Sequence, residues 1–132
     1  MAVLTASIVL SAGPLAGLAS AAGEPVYTKA DNGKTEQLTK GTTFKVKLKN
    51  CSDCGDIWKF RARFDSSLIK LVSFTKTSSA KPPAVGGIDT DVWTYKIVGK
   101  GETTEKLVQR SPSGTVIDHY TLTIKSGHLT VQ

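Results

Sequence analysis

A two-residue alternation of apolar and polar side chains is the feature that most constrains what this chain can fold into. Residues 43–49, TFKVKLK, alternate apolar side chains with lysines, and residues 58–64, WKFRARF, alternate aromatics and an alanine with basic side chains. Residues 91–98, DVWTYKIV, and 117–125, IDHYTLTIK, repeat the period. Because side chains point to opposite faces of a strand at each step, this pattern predicts antiparallel strands with one buried face.

Turn-forming residues separate these runs at short intervals, as in a protein built of short strands. Residues 68–74 and 103–110 are less regular but rich in β-forming residues, and residues 129–131 can add a last short strand. A helix over residues 61–72 is the competing interpretation, but Asp65-Ser66-Ser67 is better read as a turn. The chain is therefore predicted to be all-β, with seven or eight strands in one antiparallel sandwich.

Two positions stand out within this predicted sandwich. Residues 75–87, TKTSSAKPPAVGG, form a segment that is longer than most connections, and we expect it to be a functional loop. Trp58 lies where a sandwich often buries a large aromatic side chain.

The beginning of the chain predicts export. Residues 1–22 carry no charge, and they end in small residues with Ala19-Ser20-Ala21 in the A-x-A pattern of a signal-peptide cleavage site. Gly and Pro interrupt the apolar run, which disfavours a spanning helix. We expect residues 23–132 to form a single mature domain, secreted or periplasmic and free of the membrane.

The two cysteines of the chain, Cys51 and Cys54, are compatible with a redox centre, half of a zinc site or a structural disulfide. A redox pair needs a helix to lower the pKa of its first thiol, and a strand pattern follows here. Zinc needs two more ligands, and the spacing of His119 and His128 fits no common zinc motif. In an oxidising compartment the two cysteines are expected to pair.

Other function classes find little support in the sequence. The net charge of +6 permits an acidic partner but does not require one. Lys45, Lys47, Lys49, Arg61 and Arg63 alternate with the aromatics and lie on the opposite strand faces, so no nucleic-acid platform is predicted. No nucleophile motif accompanies the histidines, and we expect no enzyme activity and no cofactor.

The loop motifs follow one another between the strand patterns, from about Thr28 to Lys125. Residues 31–60, DNGKTEQLTKGTTFKVKLKNCSDCGDIWKF, contain an Asn-Gly turn, a Gly-led strand and then a loop in which Asn50 and Gly55 precede Trp58. Residues 84–114, AVGGIDTDVWTYKIVGKGETTEKLVQRSPSG, contain a Gly-rich loop and an Arg-x-Pro segment. This order of motifs resembles the chagasin family of cysteine-peptidase inhibitors.

The resemblance implies an immunoglobulin-like sandwich whose three loops, at one end, fill the active-site cleft of a papain-like cysteine peptidase. It implies a monomeric inhibitor that blocks the cleft reversibly and is not cut. The residues that it assigns to peptidase binding lie on the three loops; they are Asn50, Ser52, Asp53, Gly55, Asp56, Gly86, Gly87, Arg110 and Pro112. In this setting a Cys51–Cys54 disulfide would fix the shape of the first loop.

The loops also depart from the family pattern. Cys51 replaces the proline of the first loop, Ser52-Asp53 replaces two threonines, Cys54 is an insertion and Asp56 replaces an aromatic. The third loop lacks its tryptophan, a type of residue that often carries interface energy. These departures leave one alternative open, a sandwich of the same fold that binds another protein without inhibiting a peptidase.

Overall fold

The structure, a computed structural model, describes residues 23–78 and 88–127. The described part is built of strands, with two single-turn 3-10 helices at Lys29–Asp31 and Ser52–Cys54. The strands are β1 (Val26–Tyr27), β2 (Lys34–Leu38), β3 (Thr43–Asn50), β4 (Ile57–Ala62), β5 (Ile69–Ser78), β6 (Asp89–Ile97), β7 (Gly101–Arg110) and β8 (Val116–Ser126).

The eight strands form two four-stranded sheets that face each other. Sheet 1 has the order β1-β3-β6-β5, and sheet 2 has the order β2-β8-β7-β4. All neighbours are antiparallel except β1 with β3 and β2 with β8, which are parallel. The predicted all-β sandwich is confirmed, and the prediction of a purely antiparallel one is corrected at these two pairs.

The alternation seen in the sequence becomes the core between the sheets. The inward side chains of β3, β6 and β8 are almost fully buried, and they are Phe44, Val46, Leu48, Trp93, Tyr95, Ile97, Tyr120, Leu122 and Ile124. Phe44 stacks on Tyr95 with ring centroids 5.3 Å apart, and Phe64 meets Tyr95 edge-on at 5.1 Å. Aromatic pairs of this kind add to the stability that burial of their area supplies.

Two predictions from the sequence need correction. Residues 75–78 were expected in a loop, but they extend β5 because Ser78 pairs with Asp89 at the start of β6. Trp58 is only half-buried, since β4 is the edge strand of sheet 2, and Trp93 on the inner strand β6 is the large buried aromatic instead. The indole Nε1 of Trp58 donates a hydrogen bond to the carbonyl oxygen of Lys49 at 3.0 Å.

Other expectations about local structure can be placed in the fold. The lysines of β3 lie on the outside of sheet 1, whereas Arg61 belongs to sheet 2 and Arg63 follows its strand β4, so the basic residues do not form one stripe. His119 is exposed on β8, as expected. The predicted signal peptide, His128 and the predicted last strand at 129–131 lie outside the described residues.

A carboxyl group is buried between the sheets. Glu105 on β7 has no exposed surface, and the hydroxyl of Tyr95 donates a hydrogen bond to its Oε2. Within the described part of the chain, its Oε1 and the hydroxyl of Tyr120 have no hydrogen-bond partner. Burial raises the pKa of Glu105 from 4.5 to about 7, against the lowering effects of the Tyr95 hydrogen bond and of Arg63. Burial likewise raises the pKa of Tyr95.

Candidate functional site

Strand register places three connections at one end of the sandwich. In sheet 1, β3 ends at Asn50, which pairs with Asp89 at the start of β6, and Asp89 also pairs with Ser78 at the end of β5. In sheet 2, Arg110 at the end of β7 pairs with Ile57 at the start of β4. We call these connections loop 1 (residues 51–56), loop 2 (residues 79–88) and loop 3 (residues 111–115).

Loop 1 is a short, cross-linked segment. Cys51 and Cys54 form a disulfide with their Cα atoms 5.2 Å apart, which confirms the pairing predicted from the sequence. The ring encloses the single 3-10 turn Ser52–Cys54, and Gly55 ends that turn with a left-handed φ of 85°. A residue other than glycine rarely adopts this conformation, so both the disulfide and Gly55 restrict the shape of the loop.

The buried side chain of Asn50, at the end of β3, supports loop 1 from the interior of the sandwich. Its side chain is 2% exposed; Nδ2 donates to the carbonyl oxygen of Asp56 at 2.9 Å, and Oδ1 accepts from Nε2 of Gln109 at 2.7 Å. Since Asn50 belongs to sheet 1 and Gln109 to sheet 2, this pair links the two sheets beneath the loop. Asn50 therefore positions the loop, whereas the sequence resemblance assigned it to peptidase binding.

Gln109 was missed by the sequence analysis. The signal that could have identified it is its spacing from Leu107 on β7, because residues two apart lie on the same face of a strand. Both side chains are buried, so Gln109 is a polar residue at an inward position. A buried side-chain amide needs hydrogen-bond partners. Gln109 precedes the last residue of β7, so those partners are expected close to the loops.

Loop 3 packs against loop 1. A methyl group added to Gly55 would lie 2.6 Å from Cγ of Pro112, so the glycine backbone and the proline ring are in close contact. Loop 3 itself is a tight turn, in which the amide of Ser111 donates to the carbonyl of Thr115 at 2.9 Å. Arg110 folds back onto this turn, and its Nη1 donates to the carbonyl oxygen of Gly114 at 2.7 Å.

The strand that leads to loop 2 contacts loop 1 from the other side. Nζ of Lys76 on β5 lies 3.2 Å from Oγ of Ser52 and 2.8 Å from Oδ1 of Asp91, whose side chain is 5% exposed. Loop 1 is thus held between loop 3 and the end of β5.

The predicted site residues fall into three groups. Ser52, Asp53, Gly55 and Pro112 are exposed, and Asp56 and Arg110 are half-buried on the same surface. Asn50 lies beneath it. Gly86 and Gly87 of loop 2 lie outside the described residues.

Within residues 23–78 and 88–127, no group of three or more His, Cys, Asp or Glu side chains is arranged to hold a metal ion. The same residues contain no helix that is long and apolar enough to cross a membrane.

A sandwich that gathers braced loops at one end defines a class of protein that presents a loop surface to a partner. Residues 37–125 match the model of the chagasin family, peptidase inhibitor I42. This chain belongs to that family, which confirms the resemblance seen in the sequence. No curated protein matches the chain significantly.

Solved structures share the fold at low sequence identity. The cysteine protease inhibitor EhICP2 from Entamoeba histolytica superposes with a TM-score of 0.68 at 19% identity, over 78% of this chain and 95% of that chain. Amebosin gives a TM-score of 0.57 at 18% identity, over 79% and 98%. PbICP-C, solved in complex with falcipain-2, gives 0.51 at 17% identity, over 78% and 88%.

Proposed function

We propose that this protein inhibits papain-like cysteine peptidases by filling the active-site cleft with loops 1, 2 and 3. The observation that carries the proposal is the central, braced position of loop 1 in a chain of an inhibitor family. The structural neighbour EhICP2 is a cysteine protease inhibitor, and the neighbour PbICP-C was solved in complex with falcipain-2. Both support a cysteine peptidase as the class of partner.

The bracing of loop 1 suits it to inhibition. A loop that is mobile before binding loses conformational freedom on docking, and that loss weakens affinity. Here the Cys51–Cys54 disulfide, the Asn50 hydrogen bonds and the Pro112 contact fix the loop before a partner arrives. A rigid loop also resists the extended conformation that a peptidase needs in order to cut its substrate.

Loop 1, which is held between loop 3 and the end of β5, would meet the middle of the cleft, where a cysteine peptidase holds its catalytic cysteine and histidine. Asp53 is exposed and Asp56 half-buried on this loop. The catalytic cysteine and histidine of such a peptidase form a thiolate and an imidazolium. The imidazolium would attract the two carboxylates of loop 1 and the thiolate would repel them, so we expect them to face the imidazolium side of this pair.

We also propose that the mature domain acts outside the cytoplasm, in the periplasm or the medium. The uncharged segment 1–22 with its A-x-A pattern supports export, and the Cys51–Cys54 disulfide fits an oxidising compartment. Mass spectrometry of the protein from culture supernatant and periplasmic extract tests this: a mature chain that starts near Ala22 or Gly23 is expected.

A titration of the mature domain against papain and a cathepsin-L-like peptidase tests the inhibitory function. We expect inhibition that is reversible on dilution, with the inhibitor recovered uncut. Asp53→Ala and Pro112→Ala should weaken it, because both side chains are exposed on the loop surface. Lys40→Ala, in the β2–β3 turn at the opposite end of the sandwich, is the matched control and should inhibit like the native chain.

The second candidate, a binding sandwich that does not inhibit, is favoured by loop 3. This loop has no large aromatic side chain, and Arg110 is bonded to its own turn. A complete absence of inhibition by the native chain at micromolar concentration, for both peptidases, would reject the first function and leave this one.

A further inference from the structure

The disulfide of loop 1 is accessible as well as central. Cys54 is exposed, and Cys51 is half-buried at the end of β3. Pro112 of loop 3 contacts Gly55, and Lys76 contacts Ser52. These two contacts, which hold the loop, therefore fall on residues other than Cys54. A disulfide in such a place is open to attack by a thiolate, whereas a buried structural disulfide is shielded from it.

We propose that this disulfide is a thiol-exchange site, at which the catalytic thiolate of the bound cysteine peptidase forms a reversible mixed disulfide with Cys54. This inference rests on the proposed function, because docking in the cleft brings loop 1 to the catalytic cysteine. It adds a covalent step to an inhibitor that otherwise acts by blocking the cleft.

The structure distinguishes the sulfur that is attacked from the sulfur that leaves. Exposure selects Cys54 for attack. The backbone N–H of Cys54 donates a hydrogen bond that is shared between Sγ of Cys51 at 3.2 Å and the carbonyl oxygen of Cys51 at 3.1 Å. This N–H would stabilise the negative charge that develops on Cys51 as the bond breaks, and a better-stabilised leaving thiolate departs faster.

The exchange balances without any other reactant. The peptidase sulfur uses an electron pair to bond to Sγ of Cys54, the Cys51–Cys54 bond breaks, and its electron pair stays on Cys51 as a thiolate. One disulfide is replaced by another, so no oxidant or reductant is consumed. Cys51 remains three residues away and can attack Cys54 in turn, which restores the native disulfide and releases the peptidase sulfur.

Three features favour the catalytic thiolate over small thiols. A peptidase thiolate is ionised at neutral and mildly acidic pH, whereas an ordinary thiol is mostly protonated there. Docking also replaces a bimolecular encounter by a positioned one. The carboxylates of Asp53 and Asp56 would repel an anionic thiol such as glutathione, since the neighbouring Lys76 is paired with the buried Asp91. The imidazolium beside the catalytic thiolate offsets this repulsion for the peptidase.

The test uses the oxidised native chain and active papain from which reductant has been removed. After incubation, excess N-ethylmaleimide caps free thiols, and intact-mass spectrometry and a non-reducing gel detect any covalent adduct. We expect an adduct that carries one maleimide on Cys51 and joins the catalytic cysteine to Cys54. We also expect it to form at least about 100-fold faster than the adduct with glutathione at equal concentration, since docking positions the thiolate.

Two controls separate this inference from the proposed function. The double variant Cys51→Ser/Cys54→Ser, used at a concentration that gives the same occupancy of papain, should give no adduct. Papain alkylated at its catalytic cysteine should give none with the native chain. Inhibition by the native chain with its disulfide intact in the complex would overturn the exchange and leave the inhibitory function standing.

Attachment through Cys51, or a rate no faster than with glutathione, would also overturn the inference. An absence of inhibition by both the native chain and the double variant would reject the inhibitory function, and the exchange with it.

Discussion

Replacement of Glu105 by Gln should make the protein more stable at neutral and alkaline pH. Glu105 is fully buried, and burial raises its pKa from 4.5 to about 7. The folded state therefore keeps a proton that the unfolded state loses between these values. Stability from this group is at its highest below about pH 4.5, falls as the pH rises, and reaches its lowest level above about pH 7.

The magnitude follows from the two pKa values. Their difference corresponds to a loss of about 3 kcal/mol between the protonated and the ionised form. The groups that face Glu105 are Tyr95 on β6, Tyr120 on β8 and Arg63, which follows β4. A glutamine keeps a carbonyl oxygen for the Tyr95 hydroxyl and carries no charge at any pH, so this loss should disappear.

Urea unfolding of the native chain and of Glu105→Gln at pH 5 and pH 8 measures the effect. The free energy of unfolding of the variant should exceed that of the native chain by about 1 kcal/mol at pH 5 and by about 3 kcal/mol at pH 8. Glu102→Gln, which changes an exposed carboxylate on the same strand, is the control and should leave the pH dependence unchanged. Equal slopes against pH for Glu105→Gln and the native chain would refute the reasoning.

Two further predictions concern the support of loop 1. Gly55→Ala should weaken papain inhibition at least tenfold, because the added methyl group combines left-handed backbone strain with a contact of 2.6 Å to Pro112. The control Gly114→Ala, at φ 90° with nothing near the added methyl group, should add only backbone strain of about 1 kcal/mol. Equal losses of inhibition in the two variants would contradict this prediction. Gln109→Ala should reduce stability in urea by about 1–3 kcal/mol and weaken inhibition, since it leaves the Oδ1 of buried Asn50 without its partner. Unchanged inhibition would show that the link beneath the loop does not position it.

The sequence predicts the parts of this fold that regular alternation encodes. Phe44 and Tyr120 could be assigned to the core because each lies in a strand whose neighbours change face at every residue. Trp58 follows the same alternation but lies on an edge strand, and strand order is not visible in local periodicity. The parallel pairings of β1 with β3 and of β2 with β8 were missed for a related reason, because the pattern of a short strand does not reveal its partner.

The candidate site was predictable in its residues but not in its contacts. Cys51 and Cys54 are close in sequence, so their pairing could be inferred from the expected compartment. The packing of Gly55 on Pro112 and the bond of Asn50 to Gln109 join distant segments and depend on how the two sheets face each other. No single-sequence pattern contains that information.

The parallel pairing of β2 with β8 has a consequence for how the molecule is made. Lys34–Leu38 align with residues 122–126, so one of the earliest strands finds its partner only in the last one described. During synthesis the ribosome must release β8 before sheet 2 can close, and folds dominated by such distant pairings form slowly, in milliseconds to seconds. Loop 3 connects β7 to β8, so a nascent chain presents no complete binding surface until this final strand has emerged.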